Sequence, residues 1–360
     1  LTRLRYYKII MRKIMRKAVT IKNIAEALNL SRNTVAKALN GRYVPEKTRA
    51  AVLKKAAEMH YKSLDAKDTS SESEKYRILL VSGKPLNNIK YFIPFIGGIE
   101  QFCYEHNHEL FQYTFNYDTK PFYELSSYVK SLNIDGIITV ECFDSDFVQR
   151  LLNLKKPVVF TDFTCKPVRS LVNYDVVCAD DVGSAQEIVI LLNKKYGISK
   201  FSFIGDTEHC MSFNDRYTGM LAGLFNTNTP HHRGEDLLKD DDSFDYGNAE
   251  NLKTEILKLK YRPECFVCCN DFVARTVCNA LAMLSVSVPD DALVVGFDNV
   301  PEAYSLVPKL TSYAVDKKFL GKATVQTLIQ RISFPEMPTR RISVSAKLIV
   351  RESTLKSSDI

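Results

Sequence analysis

TIKNIAEALNLSRNTVAKALNGRYVPEKTRAAVLKKAAEMHY, residues 20–61, decides how the first part of this chain folds. Ile21, Ile24, Ala25 and Leu28 recur at helical spacing and give a first helix one apolar face. Asn29 and Leu30 supply a tight turn, and the Ser31 hydroxyl is placed to cap a second helix by accepting from a free backbone N–H. Val35, Ala38 and Leu39 then point inward, which leaves Arg32, Asn33 and Lys37 on the outer face. Gly41 closes this helix, and a third over 48–59 packs across the pair. The pattern predicts a helix-turn-helix. Long polar side chains on the exposed side of a short second helix suit the reading of base edges in a major groove.

The same helices could form a small lid with a solvated basic face, but the charge distribution argues otherwise. Residues 1–67 hold 17 Lys and Arg against 4 Asp and Glu, a net of +13, whereas the whole chain is only +7. The remaining residues are therefore acidic by about 6 charges. Such asymmetry points to a polyanionic partner for one segment alone. Phosphate neutralisation would supply salt-dependent affinity, and the outward side chains would supply sequence reading.

Residues 64–75, LDAKDTSSESEK, have almost nothing to bury and read as a linker. Strand and helix then alternate. Apolar runs at 78–81, 110–113, 136–140 and 158–161 are separated by helical stretches such as 96–106 and 124–131. A second series places strands at 176–179, 201–204, 265–269 and 293–297, with helices at 184–195, 216–225, 249–259 and 272–284. This alternation predicts two doubly wound parallel sheets, with a ligand cleft beyond the carboxyl ends of their strands. Nine cysteines, mostly inside apolar patterns and odd in number, read as reduced core residues of a cytoplasmic protein. Cys265, Cys268 and Cys269 lack a second pair at zinc spacing, so they read as a buried strand. The acidic run Asp236, Asp240, Asp241, Asp242 and Asp245 misses the twelve-residue calcium-loop spacing and reads as a solvated loop, as do His231 and His232. No phosphate loop, nucleophile elbow or zinc-protease motif occurs, so the sequence suggests no catalytic residues, no metal and no cofactor. No apolar run reaches the length of a membrane span.

The head resembles the LacI/GalR family of bacterial transcriptional regulators, whose N-termini read roughly T-I-x-D-I-A-x-x-A-G-V-S-x-x-T-V-S-R-x-L-N. Thr20, Ile21, Ile24, Ala25, Leu28, Ser31, Thr34, Val35, Leu39 and Asn40 match. By resemblance, the DNA-contacting set is Thr20, Ser31, Arg32, Asn33, Thr34, Lys37, Asn40 and Arg42, with Arg32, Asn33 and Lys37 reading bases. Lys37 stands where Arg is usual, a point charge in place of a planar fork, and Ala36 stands where Ser is usual; both imply a shifted operator preference. The family's hinge helix, Y-x-P-N-x-x-A-x-x-L, carries a leucine that wedges into the minor groove. Here Tyr61 is followed by KSLDAKDTS, without the Pro-Asn pair and with Ser70 at the wedge position, where an apolar side chain is needed. That departure predicts weaker effector–operator coupling, or coupling through dimer geometry. Residues 1–17 precede the family's usual start, Met15 lies near it, and the segment reads as a basic extension without a signal-peptide core.

From residue 76 onward the chain resembles the same family's periplasmic-binding-protein-like effector domain. The matching stretches include Asp135-Gly136-Ile137-Ile138, Arg216 with Gly219, Asn270-Asp271, Val294-Val295-Gly296-Phe297-Asp298 and Pro308-Lys309-Leu310-Thr311. The resemblance implies a small all-α head (18–63) joined to an α/β domain of two parallel-sheet lobes. Lobe 1 is set at about 76–174 and 307–333, lobe 2 at about 175–306 and 334–360. It implies effector contacts at Arg216, Asn270 and Asp298, whose donors and acceptors suit a polyhydroxylated ligand. Tyr91 and Phe92 could stack on a sugar face or a base. The reading is a cytoplasmic, homodimeric repressor of carbohydrate-use genes that binds a pseudo-palindromic double-stranded DNA operator and answers to a sugar or sugar derivative. The alternatives are a two-lobed solute receptor, or a DNA-binding regulator without a small-molecule effector.

Overall fold

A computed structural model describes residues 19–39, 44–59, 61, 75–83, 91–115, 122–166, 173–231, 233–240 and 243–356. The chain divides into two compact units, 1–74 and 75–360. The expected linker at 64–75 and the hinge departure at 62–70 lie almost wholly outside the described residues, as does the extension 1–17.

In the first unit, helices α1 (Ile21–Leu28), α2 (Arg32–Leu39) and α3 (Glu46–Glu58) enclose a core of Ile24, Ala25, Val35, Ala38, Val52 and Ala56. Local chemistry sets each boundary. The Asn23 side chain receives both the N–H and the hydroxyl of Thr20, at 2.9 and 2.7 Å, closing the start of α1. Asn29 ends it in the left-handed region, φ 54°, with its N–H returned to the helix. Ser31 Oγ then accepts the Thr34 N–H at 3.0 Å and starts α2.

The second unit holds two sheets. The first has the order β10-β5-β4-β3-β1-β2, with every paired neighbour parallel: β1 (Arg77–Ser82), β2 (Glu109–Thr114), β3 (Gly136–Val140), β4 (Val158–Phe160), β5 (Asp175–Ala179) and β10 (Arg340–Val344). Its inner strands β1, β3 and β4 read as nearly continuous apolar runs because both faces are covered. Ile78, Leu80, Ile138, Val140, Val159 and Val177 meet α4 (Ile93–Glu105) and α11 (Lys317–Ser333) on one side. Leu79, Val81, Ile137, Val158, Phe160 and Val176 meet α5 (Phe122–Ser131) and α6 (Ser145–Leu152) on the other.

The second sheet has the order β11-β9-β8-β7-β6, formed by β6 (Phe201–Ile204), β7 (Cys265–Cys268), β8 (Leu293–Phe297), β9 (Thr311–Val315) and β11 (Ala346–Ile349). It shares one core with α7 (Asp181–Tyr196), α8 (Met211–Asn226), α9 (Ala249–Ile256) and α10 (Asp271–Met283). The edge strand β11 runs antiparallel to β9.

Three strands lie in the other lobe from the one expected. β5 pairs with β4 and completes the first sheet, β9 pairs with β8 in the second, and β10 pairs with β5 in the first. The chain therefore crosses between lobes at Asp180, Asp316 and Ser345. The Asp180 N–H donates to the Val344 carbonyl at 2.9 Å and ties the first crossing to the third. The expected lobe limits at 174, 307 and 334 are corrected accordingly. Apolar periodicity reports that a strand is buried; it does not report which sheet supplies its neighbours.

Two loop expectations are also corrected. The His231 side chain is only 7 % exposed, with Nε2 2.8 Å from Asp236 and Nδ1 3.2 Å from Glu235. Asp236 is buried too and accepts the Phe203 N–H at 2.7 Å and the Tyr217 hydroxyl at 3.1 Å, so it fastens its loop to β6 and α8. A buried acceptor surrounded by donors is stable where an unpartnered one would be costly. His232, Asp241 and Asp242 lie outside the described residues.

Candidate ligand cleft and DNA-contact face

The carboxyl ends of β3, β4 and β5 in one sheet and of β6, β7 and β8 in the other open onto a cleft of about 670 Å³. Arg216, on the second turn of α8, lies in its wall and is 95 % buried. Its Nε donates to Asp181 at 2.7 Å and one terminal nitrogen donates to Asp298 at 3.2 Å, while the other reaches the Cys269 carbonyl. The guanidinium carbon stands 4.8 Å from the centre of the Phe297 ring and 5.8 Å from that of Phe213. Burial works against its charge, but Asp181 and Asp298 outweigh that and hold Arg216 protonated.

Asp298 follows β8 in the left-handed region, φ 98°, with its N–H on the Tyr313 carbonyl. Asn270 follows β7 and caps α10: its side-chain oxygen accepts the Val273 N–H at 2.9 Å. Tyr91 and Phe92 precede the first turn of α4, edge to face at 4.8 Å. Phe92 belongs largely to the first lobe's core, whereas Tyr91 carries the Lys317 ammonium over its ring at 4.6 Å. All five residues singled out for an effector line one cavity.

Several wall residues were not singled out. Asp162 accepts the Phe163 N–H at 2.8 Å and the Ser212 hydroxyl at 2.7 Å, and so joins the end of β4 to the start of α8 across the cleft. Asp271 accepts the Val300 N–H at 2.9 Å and the Ser312 hydroxyl at 2.6 Å. Burial, reinforced by the Asp298 charge, pushes the Asp271 carboxyl up to about 7. Burial does the same to Asp181 despite its guanidinium partner. Phe213 and Phe272 line the cavity with Phe143 and His209. The sequence signal for these residues was their position immediately after each strand, where a doubly wound fold collects its ligand groups.

Glycine spacing is explained by the same wall. A Cβ on Gly296 would stand 2.2 Å from Asp271 Oδ1, and one on Gly219 would stand 2.3 Å from the Val182 carbonyl oxygen. Both glycines are thus close approaches on which the cleft geometry depends.

On the head, Arg32, Asn33 and Lys37 are exposed on one side of α2, opposite the buried Val35 and Ala38. Ser31 and Thr34 share a hydroxyl–hydroxyl contact of 2.8 Å at the start of that helix, and the Thr20 hydroxyl is engaged in the α1 cap. Asn40 and Arg42 lie outside the described residues.

Residues 194–354 match the family model described as a periplasmic binding protein-like domain. Over 93 % of its length the chain is 25 % identical to the ribose operon repressor of Haemophilus influenzae, covering 98 % of that protein. It is 27 % identical to the NTD biosynthesis operon regulator of Bacillus subtilis, covering 93 % of this chain and 99 % of the relative. Among solved structures, the transcriptional regulator CelR in complex with cellobiose aligns over 93 % of this chain and 99 % of its own, with a TM-score of 0.67 and 20 % identity. A LacI family regulator from Enterococcus faecium with bound ribose aligns over 77 % of this chain and 98 % of its own, with a TM-score of 0.61 and 22 % identity. Over nearly its whole length the chain is similar to LacI/GalR-type transcriptional regulators. The helical head and the two-sheet domain are both present among the chain's described residues. Among its described residues no helix is long and apolar enough to cross a membrane.

Proposed function

We propose that the regulator represses carbohydrate-use genes as a cytoplasmic homodimer, binding a pseudo-palindromic operator whose occupancy is set by a sugar-like molecule between its lobes. Relatives named as operon repressors, and fold neighbours that hold cellobiose or ribose, support this reading. The observation that carries it is Arg216, a charged side chain clamped by two carboxylates in the wall of an open cleft. In this reading Arg216 and the Asn270 amide nitrogen donate to ligand hydroxyls, Asp298 accepts from them, and Tyr91 and Phe92 face an apolar side of the sugar ring. Arg32, Asn33 and Lys37 meet base edges, while Thr20, Ser31, Thr34, Asn40 and Arg42 meet phosphates. No reaction is assigned to the cleft. The ligand acts only through its different affinity for the two arrangements of the lobes.

The test is selection of bound duplexes from a random pool, followed by fluorescence anisotropy on the selected site with and without sugars. The expected outcome is an inverted pair of half-sites whose affinity changes about 5- to 150-fold with one sugar. Indifference of the full-length protein to DNA sequence would sink the reading.

A further inference from the structure

The charge lining the cleft is one-sided, and this bears on what the cleft holds. Six carboxyl groups, Glu141, Asp162, Asp181, Asp271, Asp298 and Glu302, line it with three cations, Arg216, Arg275 and Lys317. Asp181 and Asp298 already share Arg216, at 2.7 and 3.2 Å. The hydrogen bonds to Asp162 and Asp271 come from neutral donors: backbone N–H groups and the hydroxyls of Ser212 and Ser312. Lys317 spends one hydrogen bond on the Asp298 carbonyl oxygen, a neutral acceptor, and rests on the Tyr91 ring. The wall therefore holds three more carboxyl groups than cations, with Asp181 and Asp271 buried. There repulsion is strong, and the carboxyls answer by holding their protons more tightly. Further aromatic rings, Phe143 and Phe272 among them, complete the wall. Carboxylates set among aromatic faces form the environment that stabilises an ammonium group, through charge-assisted hydrogen bonds and cation–π attraction.

We propose that the cleft selects an aminated sugar, a polyhydroxylated ligand bearing a protonated amine, over neutral sugars and over sugar phosphates or sugar acids. This rests on the reading of the cleft as a sugar-effector site and adds the charge of the ligand to it. The hydroxyls engage Arg216, Asn270 and Asp298. The ammonium lies toward Asp162 and Asp271, completing the charge balance that the protein leaves open. An anionic substituent would meet those same carboxylates and be excluded, so the acidic wall works as a filter against the phosphorylated pool.

The experiment is isothermal titration of the full-length protein with matched sets. Glucosamine, galactosamine and mannosamine are each compared with the parent hexose, the N-acetyl derivative and the hexose 6-phosphate. The expected result is one amine that binds about tenfold or more tightly than its own parent and N-acetyl forms, with no binding of the phosphates. Asp162→Asn and Asp271→Asn should each lower that ratio, and the wild-type N-acetyl comparison decides the matter even if a variant fails to fold. Tighter binding of parent hexoses or phosphates in every set that responds overturns the charge assignment while leaving the sugar-binding reading intact. Absence of binding across all the sets overturns both.

Discussion

Asp271 shows how one side chain can link the fold to the cleft. Its two oxygens hold the backbone after β8 and the hydroxyl of Ser312 on β9, and the missing side chain of Gly296 makes room for it. With its pKa raised to about 7 by burial and the nearby Asp298 charge, the folded state binds this proton more tightly than the unfolded chain does. The sign follows directly. Between the ordinary aspartate range and pH 7 the native state carries more protons, so the contribution of Asp271 to stability falls as pH rises through that window and then levels off. Urea denaturation at successive pH values should show this, with a slope of at most roughly 1.4 kcal/mol per pH unit from one group. Asp271→Asn should flatten that component of the profile; an unchanged profile would mean that Asp271 is ionised throughout. Arg216 was legible from its family position, but Asp271 was not. Nothing in an Asn-Asp pair distinguishes a capping residue from a carboxylate bound across to the next strand.

At the scale of the element, the head was read almost residue for residue. Its boundaries are set by neighbours in sequence: the Thr20–Asn23 pair, the left-handed Asn29 and the Ser31 cap. Replacing Ser31 with Ala should cost about 1 kcal/mol of head stability, since an N–H at the start of α2 loses its acceptor. Thermal melting of the far-ultraviolet circular dichroism signal, together with operator affinity, would check it. A variant as stable as the parent would place the cap elsewhere. Strands β1 to β8 of the larger domain were equally legible as short apolar runs between helical stretches, whereas β9, β10 and β11 were not read as strands. The short helix α6 was not foreseen, although its residues Phe147, Val148, Leu151 and Leu152 fill the first lobe's core and Asp144 caps it. Gly219 shows the reverse case. The motif marked it, and only the packing of α8 against the Val182 carbonyl of α7 explains it.

For the whole molecule, the concentration of positive charge in the first 67 residues predicts that the proposed operator binding falls steeply with salt. Anisotropy titrations over a range of ionic strength should give a linear fall of log affinity with log salt. Lys37→Ala should reduce that slope by about 1 if Lys37 meets a phosphate, or leave it unchanged and alter sequence preference if it meets a base. An effect on neither would remove Lys37 from the interface. The sequence by itself determined the head, the strand-and-helix alternation and the cleft as the place where Arg216, Asn270 and Asp298 gather. The head and the alternation follow from side-chain spacing and chemistry within a few residues, and the three cleft residues from the family resemblance. Only the tertiary structure decided that β5 and β10 finish the first sheet while β9 belongs to the second, and that Asp162 and Asp271, bonded by neutral donors, stand in the same wall as the Asp181–Arg216 pair. Sheet membership and net charge in a cleft arise from residues far apart in the chain, and local periodicity carries no record of which distant segment will stand beside them.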